Sequence, residues 1–132
     1  MQRLFAGLFL ALVCASLYAQ TMDMRATIPF TFRAGETVMP AGDYTIRYRE
    51  HQLLLRKAGG GPSIMLLTND ALRLTPSPES RLNFSRYGER YFLSSAWSLG
   101  SSAGFEIPKG HAEKELARQT LRQSVGIALR RQ

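Results

Sequence analysis

Few residues in this 132-residue chain have the types and spacing to do chemistry. Gly100-Ser101-Ser102-Ala103-Gly104 matches Gly-x-Ser-x-Gly, the elbow that lifts a nucleophilic serine above a parallel sheet in many hydrolases. Such an elbow needs a strand before it, a helix after it, and a histidine and a carboxylate within reach. Here the strand-like Phe105-Glu106-Ile107 follows at once, and the available partners, Glu106 and His111, lie only a few residues downstream. A glycine–serine loop is the simpler account, and a hydrolase ranks last among the functions considered. The histidines are His51 and His111, and neither has a Cys or His at metal-site spacing. Asp43, Asp70, Glu36 and Glu50 fall in turn-like settings, where carboxylates serve local hydrogen bonds. Gly59-Gly60-Gly61 lacks the Lys-Ser/Thr of a phosphate loop. No catalytic residue, metal site or cofactor is expected.

Binding surfaces are the remaining chemistry. Thr45, Arg47 and Arg49 alternate on the outward side of one strand, with Arg56 on the next strand and Arg81 and Arg90 as possible extensions. Guanidinium groups suit planar anions, so this face fits acidic polysaccharide, lipid phosphate or nucleic acid, without sequence-specific nucleic-acid recognition. The alternative is a solvated sheet face with scattered arginines. Tyr87, Tyr91 and Trp97, beside Phe84 and Phe92, could form a stacking platform for sugars, or serve as the cross-strand pairs and core of a hairpin.

The elements that must position these residues begin after residue 19. Met1-Gln2-Arg3, an uncharged apolar run over residues 4–13, and Cys14-Ala15-Ser16-Leu17-Tyr18-Ala19 have the layout of a secretory signal peptide. The run is too short to span a bilayer, which takes about 20 apolar residues. Cleavage is expected after Ala19, with Ala15 as the alternative. Removing residues 1–19 takes away Cys14, the sole cysteine, so the mature chain can form no disulfide and has no thiol nucleophile. It keeps 16 basic residues against 10 acidic ones. About 110 residues suffice for one compact core.

Period-two alternation then dominates. Ala26, Ile28, Phe30 and Phe32 share a face, and Pro29 on the other side suggests an edge strand. Tyr44, Ile46 and Tyr48 point inward in the next run. Ile64-Met65-Leu66-Leu67 is apolar on both faces, as in a central strand. Tyr87-Gly88-Glu89 separates two alternating runs, the pattern of a β-hairpin. From Ala112 to Arg131 there is no proline, and Leu116, Ala117, Leu121, Val125 and Ala128 fall on one side of a helical wheel.

Ile28-Pro29-Phe30-Thr31-Phe32, followed by Val38-Met39-Pro40-Ala41-Gly42-Asp43-Tyr44-Thr45-Ile46, resembles the "PF-F-G-PAG-Y" opening of a group of small exported bacterial proteins. Tyr87-Gly88-Glu89-Arg90-Tyr91-Phe92-Leu93 and the residues 108–116 resemble that group's later signature. The resemblance covers most of the mature chain; it implies export and a β-rich domain, and transfers no active site.

The sequence therefore predicts a signal peptide over 1–19 and a mainly β domain over 20–109, an antiparallel sandwich or partly closed barrel of six to eight short strands. A C-terminal amphipathic helix is expected over 110–132. The expected function is that of an exported, non-enzymatic envelope protein, periplasmic or extracellular, with a binding or structural role. A polyanion- or glycan-binding module is the alternative. Envelope polysaccharide, or another protein met through the C-terminal helix, are the expected partners, with no transmembrane segment in the mature chain.

Overall fold

The computed structural model describes residues 22–131; the expected signal peptide and Cys14 lie outside the described residues. Alternation of buried and exposed side chains builds twelve strands among them, and these form two sheets packed face to face. The first sheet contains β1 (Met22–Ile28), β4 (Gly42–Arg49), β5 (Gln52–Lys57), β6 (Ser63–Leu67) and β12 (Arg130–Arg131), in the order β12-β1-β4-β5-β6. The second contains β7 (Asn69–Leu72), β8 (Arg81–Tyr87), β9 (Arg90–Trp97), β10 (Ala103–Glu106) and β11 (Gln123–Ala128), in the order β11-β8-β9-β10-β7. Short β2 (Phe32–Ala34) lies parallel to the start of β9, and β3 (Thr37–Met39) pairs with β2.

The chain passes directly from one sheet to the other at residues 29–31, at residues 40–41, at Thr68 and at Leu129. Backbone bonds brace two of these corners, from Thr68 N–H to His51 and from Leu129 N–H to Ser80, each 2.9 Å. The result is a sandwich; no barrel closes. Between the sheets, Ile28, Phe32, Tyr44, Ile46, Leu53, Leu55, Leu82, Phe84 and Leu93 are fully buried. Phe32 meets Tyr44 and Phe84 edge-on at 5.5 and 5.3 Å, an arrangement that adds quadrupole attraction to area burial. The Pro40-Ala41-Gly42-Asp43-Tyr44 stretch closes on itself, with the Tyr44 hydroxyl donating to the Pro40 carbonyl.

Four expectations are corrected. Twelve strands form rather than six to eight, because β2, β3, β7 and β12 are only two to four residues long and carry little periodicity. Pro29 lies just past β1, which has β12 on one side and β4 on the other; the proline ends a strand rather than marking an edge. Ile64-Met65-Leu66-Leu67 is not central: β6 ends the first sheet, and Met65 and Leu67 are 57% and 72% exposed. Finally, helix α1 spans only His111–Gln119, and the remaining residues to 131 are not helical. Thr120 adopts an extended conformation, and β11 pairs with all but one residue of β8. Val125, Ile127 and Leu129 alternate at period two and pack on the core, Gly126 penalises a helix by about 1 kcal/mol, and the free edge of β8 offers a ladder that a solvated helix has no equivalent for.

Candidate functional site

The outer face of the first sheet collects arginines by register. Met24, Ala26, Tyr44 and Ile46 turn inward, so Arg25, Thr45, Arg47 and Arg49 turn to solvent. Cross-strand pairing sets Arg130, Arg25, Thr45, Arg56 and Ser63 in one row across all five strands. The next row is Asp23, Arg47, Leu54 and Met65, and beyond it lie Arg49, Gln52 and Leu67. Five guanidinium groups thus share the face with two carboxylates. Arg47 Nε pairs with Asp23 at 3.3 Å, and Asp43 accepts a 2.7 Å bond from the Thr27 hydroxyl. Arg130 reaches Thr27 at 3.4 Å, which places its side chain on this same side.

The predicted anion-binding set is therefore partly assembled. Arg47, Arg49 and Arg56 come together, whereas Arg81 and Arg90 belong to the second sheet, at opposite ends of the β8–β9 hairpin. Arg81 pairs with Glu79 at 3.4 Å and its Nε is buried without a partner. Sequence reading missed Arg25 and Arg130. The first precedes the alternating run recognised from Ala26, and the second fell in the expected helix; the alternation of Val125, Ile127 and Leu129 was the signal available.

The aromatic platform does not form. Tyr87 and Trp97 are buried, and Tyr91 is half-buried with its ring stacked on Phe30 at 3.8 Å. The hairpin turns these rings into packing groups because each faces another element: Tyr87 faces Phe92 and helix α1, and Trp97 faces β10. The Tyr87 hydroxyl donates to Glu113 Oε2 at 3.0 Å. Burial pushes the Glu113 carboxyl above its ordinary value, opposed by the Tyr87 bond and by Lys109 and Arg122. Burial, and then the Glu113 bond, push the Tyr87 phenol up as well.

The Gly-x-Ser-x-Gly match starts in the loop between β9 and β10 and ends inside β10, which holds Ala103 and Gly104, so a strand rather than a helix follows the serines. The Ser101 hydroxyl bonds the Ala103 backbone, and the Ser102 carbonyl accepts from Arg73 N–H. His111 opens helix α1, its backbone N–H bonded to Glu36, while His51 stands in the β4–β5 turn beside Asp70 at 3.4 Å. Among the described residues no group of three or more His, Cys, Asp or Glu could hold a metal ion. None of the described helices is long and apolar enough to cross a membrane.

Two hollows accompany the face. A cleft of about 1190 Å³ opens between the sheets over the stacked rings of Tyr48 and Phe105, with Leu72 and Leu99 exposed at its lip. A smaller pocket of about 360 Å³ on the second sheet is lined by Asn83, Ser95, Glu106, Lys109, Glu113 and Arg122. The fold and the face together describe a two-sheet β-sandwich with a cationic sheet surface. Compared with protein-family models, curated proteins and solved structures, the chain finds no match.

Proposed function

We propose that this is an exported, non-enzymatic envelope protein that binds anionic groups through the outer face of its first sheet. The observation that carries the reading is the convergence of Arg25, Arg47, Arg49, Arg56 and Arg130 on one side of the sheet, against Asp23 and Asp43 alone. Arg25 and Arg130 are direct cross-strand neighbours, and like charges placed so destabilise a sheet. An array of phosphates, sulfates or carboxylates would neutralise that repulsion and accept bidentate bonds. The secretion-type N-terminus supports placing this binding outside the cytoplasm.

Retention on heparin resin tests the reading. The R47Q/R49Q variant should elute at lower salt, with the slope of log affinity against log salt reduced by about one to two. R90Q/R118Q removes the same charge elsewhere on the protein and should elute almost as the parent does. Equal losses in the two variants would mean that net charge, not the face, does the binding.

A further inference from the structure

The arginine face has an apolar margin that a soluble polyanion has no use for. Leu54 and Met65 stand directly opposite one another across β5 and β6, and Leu67 follows on the same side of the edge strand. Met65 and Leu67 are 57% and 72% exposed, although Leu66 between them is buried. The face runs from arginine on β12, β1 and β4, through Arg56 and Leu54 on β5, to thioether and isobutyl groups on β6. Five strands set about 4.8 Å apart make a surface about 19 Å wide, presented as a sheet face rather than a groove. Phosphate lies directly above hydrocarbon in one structure, the surface of a lipid layer.

We propose that this face docks on an anionic lipid surface, with the arginines on lipid phosphates and Met65 and Leu67 sunk into the interface. The inference rests on the anion-binding reading above and names the source of the anions. Neither part suffices alone: a basic residue near an anionic leaflet contributes roughly fivefold in affinity, and shallow apolar contacts are weak without that attraction. Together they give reversible adhesion that weakens as salt screens the arginines. A hydrated acidic polysaccharide would leave both apolar side chains in water.

Co-sedimentation with phosphatidylcholine vesicles, with and without phosphatidylglycerol, tests the proposal on protein recovered after export from an expressing bacterium. Binding should require phosphatidylglycerol and fall roughly thirty-fold in R47Q/R49Q. M65T/L67T keeps strand-forming side chains at two exposed positions, and should lose on the order of tenfold in vesicle binding while its heparin retention stays unchanged. Thermal melting of each variant confirms that it folds. Unchanged vesicle binding in M65T/L67T, or heparin retention with no vesicle binding, overturns lipid docking and leaves anion binding standing. Loss of both heparin and vesicle binding in the parent protein overturns the two readings together.

Discussion

Gly104→Ala tests the packing account of the glycine that ends the Gly-x-Ser-x-Gly stretch. A Cβ at residue 104 would lie 2.5 Å from the Ala96 carbonyl oxygen and 2.6 Å from Cε3 of Trp97. Ordinary contact begins at 3.4 Å, so the shortfalls are 0.9 Å at the oxygen and 0.8 Å at the ring. The oxygen belongs to β9, whose ladder with β10 pairs Gly104 with Trp97 and Phe105 with Ala96, so it cannot swing aside alone. Trp97 is held as well, buried with the Arg73 guanidinium 5.3 Å from its ring centre. Overpacking of this kind costs about 1–3 kcal/mol, and the stiffer unfolded chain of an alanine variant returns about 0.4–1 kcal/mol. The net loss is about 1–2 kcal/mol, or about 4–9 °C in Tm for a domain of this size. Trp97 is the sole tryptophan, so its fluorescence reports both the melting curve and the local displacement. Ser102→Ala, which removes a half-buried hydroxyl from the loop just before β10, should stay within about 0.5 kcal/mol of the parent. A G104A protein with unchanged Tm and unchanged emission would refute the packing account of this glycine.

Three further perturbations test the architecture. Glu50 and His51 form the β4–β5 turn with φ of 47° and 66°, a left-handed pair that asparagine and glycine adopt more easily; E50N/H51G should gain about 1 kcal/mol in urea unfolding, even after losing the exposed His51–Asp70 contact. Gly126 has no contact closer than 3.4 Å at its Cβ position and sits in β11, so G126T should gain about 0.5–1 kcal/mol there; a loss would argue against the strand. Glu113, whose folded pKa is raised by burial, binds its proton more tightly in the native protein than in the unfolded chain. Its contribution to stability is fully present below the unfolded value and is lost as pH rises through the folded one. E113Q, a neutral acceptor for Tyr87, should therefore match the parent in acid and exceed it progressively as pH rises toward neutrality; parallel stability–pH curves would refute this.

What was legible in the sequence follows from which forces are local. Alternation in Tyr44, Ile46 and Tyr48 and in Leu82 and Phe84 announces a one-sided sheet, and Gly88, at φ 65°, announces the hairpin turn. The helix expected over 110–132 forms at 111–119 but not beyond, because a helical wheel and an edge strand both accept Val125 and Ile127, and only the partner decides. That partner is β8, about 40 residues earlier. The aromatic residues failed for a similar reason: Tyr87 and Trp97 are buried by α1 and β10, elements that no local pattern places over them.

The arginine face was half legible, and the missing half changes its meaning. Arg47 and Arg49 are two residues apart on one strand, so period two alone puts them together. Arg25 and Arg130 are joined only because the chain crosses at Leu129 from the second sheet to the first and lays β12 against β1. A sheet shaped only for stability would set a carboxylate or threonine opposite an arginine, as Asp23 stands opposite Arg47 and Thr45 opposite Arg25 and Arg56. Arg25 opposite Arg130 does the reverse, at the cost of some repulsion. Met65 and Leu67 also stand in water, although β6 could fold as well with threonine at both positions. Two departures from what folding alone favours, at opposite edges of one sheet face and complementary in chemistry, are what the proposed docking on an anionic, apolar surface would use and what the packing of the sandwich does not call for.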